Sequence, residues 1–229
     1  MARSRISPAP PRIAEPDLPE ELTPAALGRS ADILGARITL GAGGTDAAHA
    51  RVSESVIAPA SVETLDLTGA VLSDVVADGL SAAEVLAREG PWRSVVVRGG
   101  RIGTLDLSRS RCDGLVLDGV RIDYLTVAGA TLGDVESEGC RIGTLDAPGA
   151  QIQRMRVTGS TVDECDTREW TISDLDLRGA DVLAFTDVRA LRGATLSEDQ
   201  VTTHASAFAV ALGIDVRAAD DLSRTTPRL

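Results

Sequence analysis

The groups in this chain that could do chemistry are three thiols, two imidazoles and a few paired carboxylates. Cys112, Cys140 and Cys165 could serve as nucleophiles or metal ligands, but all three occupy inward slots of a repeat. A buried free cysteine behaves as a small hydrophobe, and an odd number of cysteines does not complete a disulfide framework. His49 and His204 lie before and after the regular part of the chain, so no triad or zinc cluster is expected from them. Asp163-Glu164 and Asp220-Asp221 pair carboxylates without a companion base. Neighbouring strand residues point to opposite faces, so these pairs read as solvated surface. The glycine-rich stretch 41–48 has the look of a phosphate cradle, but a P-loop needs a lysine and this chain has none. The expectation is a protein without catalysis, cofactor or metal.

What must position these residues is a repeat. Positions ending in 2 and 7 run Val52, Ile57, Val62, Leu67, Leu72 and onward to Ile172, Leu177, Val182 and Asp187. Ser137, Thr167 and Asp187 are the polar members of that series. Positions ending in 0 and 5 form a second, mostly apolar series, among them Ala70, Val75, Leu105, Leu115 and Val120. Apolar residues thus fall two apart and then three apart, a register that neither a helix nor a flat strand can hold over such a length. A longer period lies above it. Arg101-Ile102-Gly103-Thr104-Leu105-Asp106 recurs word for word as Arg141-Ile142-Gly143-Thr144-Leu145-Asp146, with Arg121-Ile122-Asp123 midway. That spacing predicts one solenoid turn per ~20 residues, four short sides to a turn. Gly69, Gly79, Gly99, Gly119, Gly129, Gly139, Gly149, Gly159 and Gly179 share a phase, where tight corners use φ > 0.

The units Ala31-Asp32-Ile33-Leu34-Gly35, Ala130-Thr131-Leu132-Gly133-Asp134 and Ala180-Asp181-Val182-Leu183-Ala184 carry the resemblance. The chain resembles the bacterial pentapeptide-repeat family over about residues 31–196. Leu105, Leu125, Leu145, Met155 and Phe185 hold a slot that the family gives to a small residue. The resemblance implies an all-β fold, a right-handed parallel β-helix with about 20 residues per turn. A β-solenoid of another kind, such as the bactofilin type, is the structural alternative.

The ends differ in character. Residues 1–25 are proline-rich and read as a disordered or extended arm. Residues 26–49 hold the first irregular repeats and the glycine-rich loop, and 50–196 the regular β-helix of roughly seven turns. Within it, Ser81-Ala82-Ala83-Glu84 matches a capping box and Gly90-Pro91 a stop, whereas Ala82, Val85 and Ala87 keep the fivefold register. Helix and coil both remain open for 82–89. Ser197-Glu198-Asp199-Gln200 is a better capping box. It predicts a capping α-helix over 197–213, with Val201, Ala205, Phe208, Ala209 and Leu212 on one face, followed by a tail over 214–229.

Charge and surface pattern bear on partners. Net charge is −11, from 34 acidic and 23 basic residues. Such a chain repels nucleic acid, so direct binding to it is not expected. No apolar run reaches the ~20 residues of a membrane span, and no secretory stretch is evident; the cytoplasm is the expected location. Residues twenty apart should stack as ladders. Asp66, Asp106, Asp146 and Asp166 form one, broken by Leu86 and Thr126. Arg101, Arg121 and Arg141 form a second, and Val56, Val76, Val96 and Val116 a third, apolar where solvent is expected. A stacked apolar stripe calls for a cover, for which Ile6, Ile13 and Leu18 of the arm are candidates. Two functions follow. The first is a non-catalytic binding or scaffold solenoid with a protein partner. The second comes from the resemblance, whose best-understood members look like DNA duplexes and occupy the DNA site of gyrase and related type II topoisomerases. In those relatives the C-terminal ends meet, which here makes Phe208 and Leu212 candidate dimer residues.

Overall fold

A computed structural model describes residues 7–218. Its dominant feature is parallel pairing at a fixed offset. Arg101 lies beside Arg121 and Arg121 beside Arg141, while Val76, Val96 and Val116 stack in the same way. The result is a parallel β-solenoid of about eight coils, with about 20 residues per coil. Each coil contributes two strands. Arg51–Ile57, Val71–Asp78, Pro91–Arg98 and Arg111–Asp118 stack on one side, Ala60–Asp66, Leu80–Leu86, Arg101–Asp106 and Arg121–Thr126 on the other. We call these the arm side and the arginine side. Between them lies one continuous apolar core, with Leu65, Val75, Ile102, Leu105, Leu107 and Ile122 almost wholly buried. It is thin because each coil adds only a layer, so Leu, Val, Ile and Ala fill most of it, with Trp92 buried among them.

The offset of twenty persists because the corners are tight. Gly79, Gly99, Gly119, Gly139 and Gly159 all take left-handed backbone. Gly179, expected at the same kind of corner, does not; there the pairing slips by one residue between Thr158 and Gly179. The repeated Arg-Ile-Gly-Thr-Leu-Asp word has a steric cause. A Cβ on Gly103 or Gly143 would sit 2.5 Å from the carbonyl oxygen of Ala83 or Asp123 in the coil below. The arm side carries a further left-handed position within the strand: Glu54, Asp74, Ser94, Gly114, Asp134, Arg154 and Asp174. Most of these have a Cβ and are strained. The fivefold pattern did not announce them.

Residues 80–86 are strand, so the capping-box match there is overridden by the solenoid register. An earlier coil precedes the regular part. Asp32–Leu34 and Ala36–Thr39 pair with Arg51–Ile57 at an offset of nineteen, and the glycine-rich stretch absorbs the extra residue before Thr45 pairs with Leu65. Thr23–Ala26 then covers the first edge by pairing with Ala36–Thr39.

The C-terminal cap departs from the expected single helix. Ser197 and Gln200 do form a reciprocal capping box, which starts α1 (Glu198–Thr203). The helix stops at His204, whose φ of −95° and ψ of 11° break it, and α2 (Ala205–Ala211) follows. Sealing is polar as well as apolar. Gln200 Nε2 donates to the carbonyls of Leu177 and Ala180 at 2.6 Å each, and His204 Nε2 lies 3.0 Å from the carbonyl of Val182. These are edge groups of the last coil, which an apolar lid would leave unpaired. Phe208 packs against the core and His204 stacks edge-on against Phe185, whereas Val201 and Leu212 of the expected apolar face point to solvent. Among the described residues no helix is long and apolar enough to cross a membrane. The expected tail lies largely outside them.

Candidate interaction surfaces

The three cysteines are buried and free. Burial pushes the thiol of Cys112 up to about 11 and that of Cys165 up to about 12. His49 and His204 are far apart in the chain, and among the described residues no three His, Cys, Asp or Glu side chains gather as a metal site. Asp163 and Glu164 lie on the arginine side, and Asp220-Asp221 falls outside the described residues.

The acid ladder is present as a ladder, but its carboxylates are occupied. Asp66 accepts the N–H of Thr68 at 2.9 Å, Asp106 that of Ser108 at 2.9 Å, and Asp166 that of Arg168 at 3.0 Å. Each is an Asx-turn that bends the chain into the next corner. Asp146 shows the rule by exception. Its residue two on is Pro148, which has no N–H, and the carboxylate instead accepts the hydroxyl of Thr126 at 3.0 Å. Arginines neutralise the same line. Arg88 lies 3.4 Å from Asp106, and Arg168 forks onto Asp166, holding that carboxyl down at about 2. Two rungs of the arginine ladder are likewise engaged. Asp123 takes Arg101 at 2.7 Å and Arg121 at 3.3 Å.

The valine ladder lies on the arm side. Val76 and Val96 point away from the core between inward neighbours, yet they are only 8% and 5% exposed; Val56 and Val116 are half-buried. The arm accounts for this. Residues 7–22 run extended along that side, and their backbone is tied to carboxylates two positions before the valines or in register with them. Ala9 N–H donates to Asp174 at 2.9 Å, Arg12 N–H to Asp134 at 2.8 Å and Asp17 N–H to Asp74 at 3.3 Å. Ile13 and Leu18 are half-buried, and Ile6 falls outside the described residues. Asp134 is the firmest of the three acceptors. Arg154 forks onto it with two contacts of 2.6 Å, which keeps its carboxyl below the usual range. Sequence reading passed over Asp74, Asp134 and Asp174. Their spacing in multiples of twenty was the available signal.

A third surface is the C-terminal end. Leu183, Val201, Val210, Leu212, Ile214 and Val216 are exposed there; elsewhere among the described residues the exposed large hydrophobics are Leu34 and Tyr124. No protein-family model matches the chain, and no curated protein is similar to it.

Proposed function

We propose that the protein is a non-catalytic binding solenoid that meets a protein partner through its C-terminal end, a second copy of itself in the first instance. The observation that carries this reading is the concentration of exposed apolar side chains on the last coil, the cap and the segment after it, with Leu212 77% exposed and Val210 69% exposed. A terminal cap needs a polar outer face for solubility, and this one interrupts Glu198, Asp199 and Thr202 with exposed Val201, Val210 and Leu212. A two-fold contact would bury the same patch from both copies. The reading draws on the resemblance to pentapeptide-repeat proteins only for the idea that such ends meet.

The alternative is a duplex mimic for a type II topoisomerase. It would need a continuous negative face toward a basic saddle. Here Leu86 and Thr126 interrupt the acidic line, and Arg88 and Arg168 neutralise it, so the protein-contact reading is the better supported. The test is sedimentation of the unmodified chain and of Leu212→Asp over a range of concentrations. The expected result is a dimer that the substitution turns into a folded monomer. A monomer at the highest concentration rejects this end as a self-contact.

A further inference from the structure

The contact between arm and solenoid has the form of a recognition pattern. Within residues 7–22 each N–H donated to the solenoid follows a proline: Pro8-Ala9 onto Asp174, Pro11-Arg12 onto Asp134, Pro16-Asp17 onto Asp74. The three prolines are half-buried and the three donors are exposed. Proline rings therefore face the solenoid while the next peptide N–H reaches a carboxylate.

The spacing fits as well. A polyproline-II chain rises ~3.1 Å per residue, so the three residues from Ala9 to Arg12 span ~9 Å and the five from Arg12 to Asp17 ~16 Å. Their acceptors are two coils and three coils apart, which at ~4.8 Å per strand is ~10 and ~14 Å. An extended proline-rich chain can thus run along the solenoid axis and meet a carboxylate at each of these steps. Such a chain makes no internal hydrogen bonds, so its N–H groups are free to be accepted. The three acceptors also share an unusual backbone: Asp74, Asp134 and Asp174 have φ of 57°, 53° and 53°. Beside them lies the valine stripe, apolar surface for the rings.

Between residues 7 and 22 the backbone hydrogen bonds to the solenoid are these three, and the described part of the arm pairs with no strand before Thr23–Ala26, so residues 7–22 can leave without breaking a strand pair. We propose that the arm side is a docking groove for an extended segment of a partner protein that carries Pro-X dipeptides at this spacing, and that the arm is its built-in competitor. Removal of the arm uncovers Val76 and Val96 and takes the arm's N–H donors from Asp74, Asp134 and Asp174, and a segment of the same chemistry restores both sets of contacts. This surface is separate from the C-terminal end and does not depend on it.

The experiment uses the full chain with its arm disabled by Ala9→Pro, Arg12→Pro and Asp17→Pro. These changes delete the three donors and keep the chain extended. The probe is a fluorescent peptide of residues 7–22, followed by polarisation. We expect micromolar binding to the arm-disabled chain, and binding about tenfold or more weaker to the unmodified chain, where the tethered arm competes at high effective concentration. Asp74→Gly with Asp174→Gly in the arm-disabled chain should weaken it about tenfold or more, while Leu212→Asp leaves it unchanged, so failure of the C-terminal contact reads separately. Equal binding to both chains, or none to a folded arm-disabled chain, overturns the proposal. If that variant does not fold, the unmodified chain labelled at its N-terminus decides. Excess peptide should lower the label's anisotropy, and an unchanged signal at millimolar peptide overturns the proposal. A dimer that survives Leu212→Asp but is lost on disabling the arm would assign the groove to a second copy's arm and also overturn it.

Discussion

The arginine side and the arm side are built from the same coils, and both carry a column of aspartates, yet the two columns do opposite things. On the arginine side Asp66, Asp106 and Asp166 each accept an N–H from two residues further along their own chain. On the arm side Asp74, Asp134 and Asp174 accept N–H groups from a segment 57 to 165 residues away. The difference lies in the backbone. Asp106 precedes a corner, so the nearest unsatisfied donor is its own turn. Asp134 sits at φ 53° within a strand, and that left-handed kink leaves its carboxylate to a donor from outside the coil. The repeat fixes where a carboxylate stands, and the local φ decides whose amide it takes.

This contrast can be broken at one residue at a time. The largest effect is expected for Asp134→Ala, which strips the half-buried Arg154 of its bidentate partner and frees the Arg12 N–H. An unpaired group of this kind costs on the order of 2 kcal/mol, measured as a shift in the urea midpoint. Asp166→Ala comes next, at about 1 kcal/mol for the lost turn bonds. Its acid dependence gives a sharper reading. The folded carboxyl titrates at about 2, below the ~3.9 of an unfolded chain, so its contribution is complete at neutral pH and is lost as pH falls from about 4 to about 2. The acid limb of the unmodified chain should steepen in that window, and Asp166→Ala should flatten it. Asp74→Gly with Asp174→Gly should cost under about 0.5 kcal/mol in global unfolding, since glycine takes the left-handed backbone without strain and Gly114 already occupies this column. Smallest of all should be any effect on gyrase. The unmodified chain should leave supercoiling unchanged, and so should the chain with Asp106, Asp146 and Asp166 changed to Asn. Inhibition that the triple change removes would reinstate the mimic reading.

The solenoid was legible because its signal is one-dimensional. Alternate steps of two and three place Ile102, Leu105 and Leu107 inside whatever the details of the corners, and a twenty-residue recurrence fixes which residues stack. The Asx-turns could also have been read from strings such as Asp66-Leu67-Thr68-Gly69, where the carboxylate precedes a turn glycine. The valine stripe and its need for a cover were visible too. The three bonds that hold the cover were not. They depend on how polyproline-II rise compares with coil pitch, a match between two lengths that no local pattern contains. The break at His204 was hidden for a similar reason. A capping box and an apolar face describe a free helix, while the carbonyls of Leu177, Ala180 and Val182 call for donors at the open edge and draw Gln200 and His204 onto it.

One column of aspartates serves its own turns and the other holds a strap. Amide hydrogen exchange resolved by residue tests this directly. In the unmodified chain the amides of Ala9, Arg12 and Asp17 should be protected relative to Glu15 and Glu20, and those of Thr68, Ser108 and Arg168 should be protected as well. In Asp74→Gly with Asp174→Gly, protection should fall at Ala9 and Asp17 and persist at Thr68, Ser108 and Arg168. Exchange at Ala9, Arg12 and Asp17 as fast as in an unstructured peptide, with the solenoid amides still protected, would contradict the account.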